Sequence, residues 1–138
     1  MTINVLYSKT LYSTDANNTN ISKHETGEYK HPVIAYVAQN GISKWYANKK
    51  SEHFGEAPKI ILSWGAGGFR YVDKHGKYGV GGNCWAIIAD IDTLHKIDRA
   101  FNHPKMLRIL DATQQYPNMR YNRNILQTWK KDFYKDFI

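Results

Sequence analysis

Two short apolar runs constrain this chain more than anything else in it. KIILSWG (59–65) and CWAIIADI (84–91) are each almost continuous in apolar residues, with isoleucine prominent. Runs of this length and composition fit strands covered on both faces. Between them, FRYVD (69–73) alternates in strand fashion and HGKYGVGGN (75–83) reads as turn and loop. Upstream, HPVIAYVAQNGISKWYAN reads as two strands, 33–38 and 44–47, joined at Asn40-Gly41, a pair that tolerates positive φ. Beyond residue 91 the period changes. Asp92 is placed to cap a helix whose Leu94, Ile97, Ala100 and Phe101 share one face. Asn102-His103 breaks it, and Pro104 opens a second helix with Met106, Leu107, Ile109, Leu110 and Thr113 as its stripe. YPNMRYNRNIL is irregular or a short strand, and LQTWKKDFYKDF closes the chain as a basic, aromatic helix. Strands first and helices last predict an α+β fold: a mixed or antiparallel sheet, a C-terminal helical hairpin and a terminal helix.

At 138 residues the chain is long enough to bury one core without staples. Residues 1–30 read as a polar arm or loop and 31–138 as a single domain. The sequons at Asn17 and Asn20 belong to that polar stretch and carry no further meaning. The single Cys84 excludes a disulfide framework and points to a reducing, cytoplasmic setting. MTINVLYSKT has no long apolar run, so neither a secretory leader nor an anchor is expected, and no segment is apolar enough to span a membrane.

Net charge is +7, unevenly spread. Residues 1–30 are neutral, 31–98 carry +2, and 99–138 hold 8 basic against 3 acidic side chains, for +5. A basic pole of this kind attracts polyanions, nucleic acid being the commonest inside a cell. A merely solubilising basic surface is the alternative.

Seven of the ten glycines lie between Gly65 and Gly82. GAGGF after a strand has the look of a dinucleotide fingerprint, but that motif must open a helix so that amides and helix dipole meet the pyrophosphate. Here a strand pattern follows, and no G-K-S/T completes a P-loop. The glycines instead suit a strand-to-strand connection hung with Trp64, Phe69, Arg70, Tyr71, Lys74, Lys77, Tyr78 and Trp85. Aromatic faces interleaved with cations suit stacking and phosphate contact. Trp64, Tyr71 and Trp85 can equally be core residues of adjacent strands, and for Trp85, beside AIIA, that reading is preferred. Arg70, Lys74 and Lys77 sit at expected turns and should face solvent.

No active site assembles. The six histidines are scattered singly and no cysteine pair exists, so no metal site and no cofactor are expected. Cys84 lies in an expected buried strand, where a thiol behaves as a small hydrophobe. A pairing of Cys84 with His75 is conceivable, but nothing in the sequence joins them. Asp90 and Asp92 flank Ile91 and could hold Mg²⁺, but a capping role for Asp92 is simpler. Glu56 and Lys59, across Pro58, do not complete a nuclease core.

The stretch from His53 to Ile109-Leu110 resembles a known family. The matching parts are His53-Phe54-Gly55, Pro58-Lys59-Ile60-Ile61, Asp73 with Gly76-Lys77-Tyr78-Gly79, Ala86-Ile87, Ala100-Phe101 through Ile109-Leu110, and Lys130-Lys131-Asp132-Phe133. Together with KHPVIAYVAQNGISKWYANK upstream, they are similar to the C-terminal target-recognition region of adenine-specific DNA methyltransferases of type II restriction–modification systems, found also in bacterial and large-DNA-virus genomes. The resemblance covers about residues 29 to 137 and implies a module that grips duplex DNA and reads bases. The catalytic domain's N-P-P-Y or D-P-P-Y tetrapeptide and F-x-G-x-G motif are absent, so autonomous methylation is not expected; the module would be a specificity subunit working with a separate methyltransferase or nuclease subunit, a relic, or a recruited scaffold.

The expectation is a nucleic-acid-binding module without a catalytic site of its own. Arg70, Lys74, Lys77, Arg120, Arg123, Lys130 and Lys131 would contact phosphates, while Trp45, Tyr46, Tyr78 and Asn83 would approach bases. A structural or protein-interaction role is the second reading and a small Mg²⁺-dependent nuclease the third. No membrane partner is expected.

Overall fold

A computed structural model describes residues 2–6, 18–50, 57–63, 68–114 and 120–137. The fold is α+β. Among these residues eight strands come first: β1 (Val5–Leu6), β2 (Ile21–Ser22), β3 (His31–Ala38), β4 (Gly41–Ala47), β5 (Lys59–Ser63), β6 (Arg70–Asp73), β7 (Gly79–Val80) and β8 (Cys84–Ile88). Helices α1 (Ile91–Asn102), α2 (Pro104–Ala112) and α3 (Arg123–Leu126) follow, and a 3₁₀ turn over Phe133–Phe137 ends the described chain.

The strands form two four-stranded sheets, ordered β1-β8-β5-β6 and β2-β4-β3-β7. The first is antiparallel throughout, while β3 and β7 run parallel in the second. As the apolar runs predict, β5 and β8 lie at the centre of the first sheet. All five β5 side chains are buried, because both faces of this sheet are covered. On one face, Ile60, Leu62, Trp85 and Ile87 pack against Leu94, Ile97 and Phe101 of α1, and against Met106 and Leu110 of α2. On the other, Ile61, Cys84 and Ala86 meet Ile34, Val37, Tyr78 and Val80 of the second sheet. The order is thus helices, sheet, sheet. Trp85 belongs to the first cluster and Tyr71 borders the second, so both are packing residues.

Three features depart from the sequence reading. Val5–Leu6 and Ile21–Ser22, inside the expected arm, are strands that pair with β8 and β4. Val5 is fully buried. Two-residue strands carry no period to detect, and their backbone pairing needs none. Second, α1 is capped by Asp90, not Asp92. Asp90 Oδ1 accepts from the Thr93 amide and Oδ2 from the Thr93 hydroxyl, each at 2.9 Å. Third, α3 falls within YPNMRYNRNIL, expected to be irregular or a short strand, and of the expected terminal helix over 126–137 the main remnant is the 3₁₀ turn Phe133–Phe137. Trp129 and Phe133 pack ring to ring at 5.1 Å, and Phe133 meets Phe101 of α1 at 5.7 Å.

The helical hairpin follows its pattern more closely. Leu94, Ile97, Ala100 and Phe101 of α1 are all buried. Pro104 takes the first position of α2, whose cap is His103, its Nδ1 accepting from the Lys105 amide at 3.1 Å. Of the stripe expected on α2, Met106 and Leu110 are buried, while Leu107, Ile109 and Thr113 are half-buried.

Candidate nucleic-acid interface

The DKHGKY turn is built around one carboxylate. Asp73, at the end of β6, accepts from the Lys77 amide at 2.9 Å, from the Tyr78 amide at 3.0 Å and from Lys59 Nζ at 2.9 Å. Gly76 takes φ 60, a conformation glycine adopts without strain. This arrangement turns Lys74 and Lys77 outward into solvent. It also turns Tyr78 inward. Tyr78 is buried and packs edge-on against Tyr71 at 6.0 Å, so it is a core residue and not one that approaches bases.

Arg70 is likewise withdrawn from solvent. Its Nε donates to Asp98 Oδ1 at 2.7 Å, one terminal nitrogen to the Asp98 carbonyl and to Asn102 Oδ1, and the other to the Tyr121 hydroxyl at 3.1 Å. Burial opposes its charge, but Tyr121 and Asp98 outweigh that and raise its pKa. Tyr121 in turn donates to the Gly68 carbonyl at 2.7 Å. One guanidinium therefore ties β6 to the last turn of α1 and to the strap at 121. The expectation that Arg70 faces solvent fails: Nε and both terminal nitrogens are engaged within the fold, which directs the guanidinium away from a phosphate.

The register of the first sheet divides the remaining residues between two ends. Lys59 pairs with Asp73 and Ile88 at one end, and Ser63 with Cys84 at the other. Four residues separate these rows along β5, about 13 Å. The Asp73 end carries Lys74 and Lys77. Here too lies an open cleft of about 1180 Å³ bounded by Ile88, Asp90, Lys130 and Lys131. Both of these lysines are exposed. The Ser63 end carries Asn83, half-buried in the turn before β8, and Gly68, whose left-handed backbone abuts the Arg120 side chain. Arg120 Nε donates to Asp111 at 3.2 Å. Arg123 sits half-buried, its Nε donating to the Val5 carbonyl at 3.0 Å, so it braces β1. The residues named from sequence therefore do not form one surface.

Trp45 and Tyr46 are adjacent on β4, and successive strand residues point to opposite faces. Trp45 packs beside Ile21, Val33 and Ala47, with Lys23 Nζ 5.4 Å from its ring centre. They cannot approach the same base. Trp64, the glycines at 65 and 67, and His53-Phe54-Gly55 lie outside the described residues, as do residues 115–119 of the segment read as irregular or a short strand.

Sequence reading passed over a set of cations on the helices. Lys96 and Arg99 of α1 and Lys105 and Arg108 of α2 are all exposed, and none forms an ion pair among the described residues. The signal was available: at 100° per residue, His95, Lys96 and Arg99 fall opposite Leu94, Ile97 and Phe101.

Among the described residues, no group of three His, Cys, Asp or Glu side chains could hold a metal ion. Both Asp90 oxygens are engaged by Thr93. Cys84 is buried and its thiol is pushed up to about 12 by desolvation, with Sγ 3.5 Å from the Ala35 carbonyl. No described helix is long and apolar enough to cross a membrane. Comparison with protein-family models, with curated proteins and with solved structures finds no match to this chain.

Proposed function

We propose that this chain is a nucleic-acid-binding module that grips duplex DNA through its phosphates and relies on a separate methyltransferase or nuclease subunit for chemistry. One observation carries the reading. Residues 99–138 hold 8 basic and 3 acidic side chains, and two of the acids, Asp111 and Asp132, are already paired with Arg120 and Lys135. Each pair cancels internally, so the region keeps its net charge of +5. The resemblance to DNA target-recognition regions supports the same reading. Its shared residues Lys59, Asp73, Gly76 and Tyr78 make the turn that carries Lys74 and Lys77.

Fluorescence anisotropy with a labelled duplex, repeated across a salt series, tests it. Affinity should fall steeply as salt rises, because each neutralised phosphate releases counterions. Affinity indifferent to salt, or no binding, rejects phosphate contact.

A protein-interaction role is a second reading, favoured by Ile88 and Ile91. These are exposed to 44% and 40% and adjoin Pro58 on one surface. Light scattering on the purified chain distinguishes it: a stable oligomer that ignores DNA supports this reading.

A further inference from the structure

The two ends of the first sheet differ in electrostatics, and the difference assigns the DNA-facing end. At the Asp73 end, the exposed lysines of the cleft are interleaved with acids. Lys130 and Lys131 share their cleft with Asp90, and Asp92 lies next to Asp90. Lysines so placed are offset locally, and the field there is mixed.

At the Ser63 end two acids are spent. Asp98 is bound by Arg70 at 2.7 Å and Asp111 by Arg120 at 3.2 Å. The Arg70 fork also holds Asn102, so the α1–α2 corner is fixed to this end of the sheet. The far end of α2 is fixed here as well, since Asn122 Nδ2 donates to the Thr113 carbonyl at 3.2 Å and neighbouring Tyr121 holds Gly68. Helix α2 therefore spans from Asn102 to the Gly68–Arg120 contact. Arg99, in the last turn of α1, and Lys105 and Arg108 of α2 are exposed along that span. Arg108 stands one turn before Asp111, whose carboxylate Arg120 already occupies.

We propose that the surface formed by Arg99, Lys105 and Arg108, at the α1–α2 corner beside Gly68, is the phosphate-contacting face toward duplex DNA, and that the lysines of the opposite end are secondary. This rests on the nucleic-acid reading above. The occupant is chosen by charge complementarity: exposed cations beside acids that are already neutralised suit a polyanion.

The experiment compares Arg99→Gln/Lys105→Gln/Arg108→Gln with Lys74→Gln/Lys77→Gln/Lys130→Gln/Lys131→Gln in the salt series. The first should reduce the slope of log affinity against log salt by about 2–3 and weaken binding at least about tenfold. The second should change the slope by less than about 1. Lysine acetylation of the wild-type protein, read by mass spectrometry with and without duplex, gives a measurement independent of variant folding. Lys105 should be protected and Lys74 should not. Equal losses in the two variants, a larger loss in the second, or protection of Lys74 alone overturns the assignment while leaving DNA binding in place. A wild-type protein that binds no duplex overturns both.

Discussion

Lys59 Nζ lies 2.9 Å from Asp73 Oδ2, with both side chains closed off from solvent at 1% and 2% exposure. The pair joins the first residue of β5 to the last of β6, and the same carboxylate holds the Lys77 and Tyr78 amides. A buried charge without its partner costs about 3–5 kcal/mol. Lys59→Met should fall near the low end of that range, since Asp73 keeps its two amides. Asp73→Ala should reach or exceed the upper end, because it strands an ammonium and frees both donors. Urea denaturation gives both values. An Asp73→Ala cost below that of Lys59→Met would mean the turn is not organised by this carboxylate.

The glycines offer a graded test of close approach. A Cβ on Gly27 would meet nothing, and its backbone is ordinary. Gly41 is also open but takes φ 134 in the β3–β4 turn. A Cβ on Gly81 would come within 2.5 Å of the Ile34 carbonyl and 3.0 Å of Ala35 Cα, both backbone atoms of β3 that cannot swing aside. Gly27→Ala should be neutral or stabilising by up to about 1 kcal/mol. Gly41→Ala should cost about 1–3 kcal/mol in backbone strain. Gly81→Ala should cost about 3 kcal/mol or more, since β3 must move from β7. Thermal or urea melts rank them, and Gly81→Ala close to wild type would show that the β3–β7 spacing is softer than described.

Much of this core is legible in sequence because its signals are local. The runs at 59–63 and 84–88 announce buried strands, and the α1 stripe announces its own inner face. The candidate site is less legible, because its decisive contacts are long-range. Nothing near Arg70 in sequence signals that Asp98, Asn102 and Tyr121, 28, 32 and 51 residues away, will claim its fork. Tyr78 is similar: its place in an exposed-looking turn suggests display, but Asp73 holds its amide and the ring packs inward against Tyr71. The exposed cations of α1 and α2 are the converse case. Their helical period is visible, but their value as a surface depends on which acids are neutralised elsewhere.

Cys84 predicts a specific alkaline weakness. Desolvation raises its pKa from the ordinary thiol value of 9.0 to about 12. A group whose folded pKa is raised stabilises fully below its unfolded pKa and loses that contribution as pH rises toward the folded one. Unfolding should therefore become easier between pH about 9 and about 12, by as much as about 4 kcal/mol at the upper limit. Cys84→Ala should cost about 1 kcal/mol at neutral pH from the lost packing and should flatten part of the alkaline decline. Urea midpoints of both proteins across this range check it. Parallel declines would mean that the thiol opens to water before the fold is lost.

Asp90 and Asp92 separate two accounts of where α1 begins. The Thr93 amide, and then its hydroxyl, hold the Asp90 carboxyl below its ordinary pKa. A depressed carboxylate stabilises above its unfolded pKa, and the contribution is lost as pH falls through the folded value. Asp90→Ala should thus lower the melting temperature at neutral pH, and the gap from wild type should close below the ordinary carboxylate range. Asp90→Asn retains a side-chain oxygen for the Thr93 amide, so its deficit should be smaller and should not vary with pH in this way. Asp92, in the first turn, can act only on the helix dipole, and its replacement by alanine should shift the melt less than Asp90→Ala. Calorimetry of the three variants over the acid range decides the matter. If Asp92→Ala reproduces the pH-dependent loss, the cap lies at Asp92 and the Asp90–Thr93 bonds carry no stability.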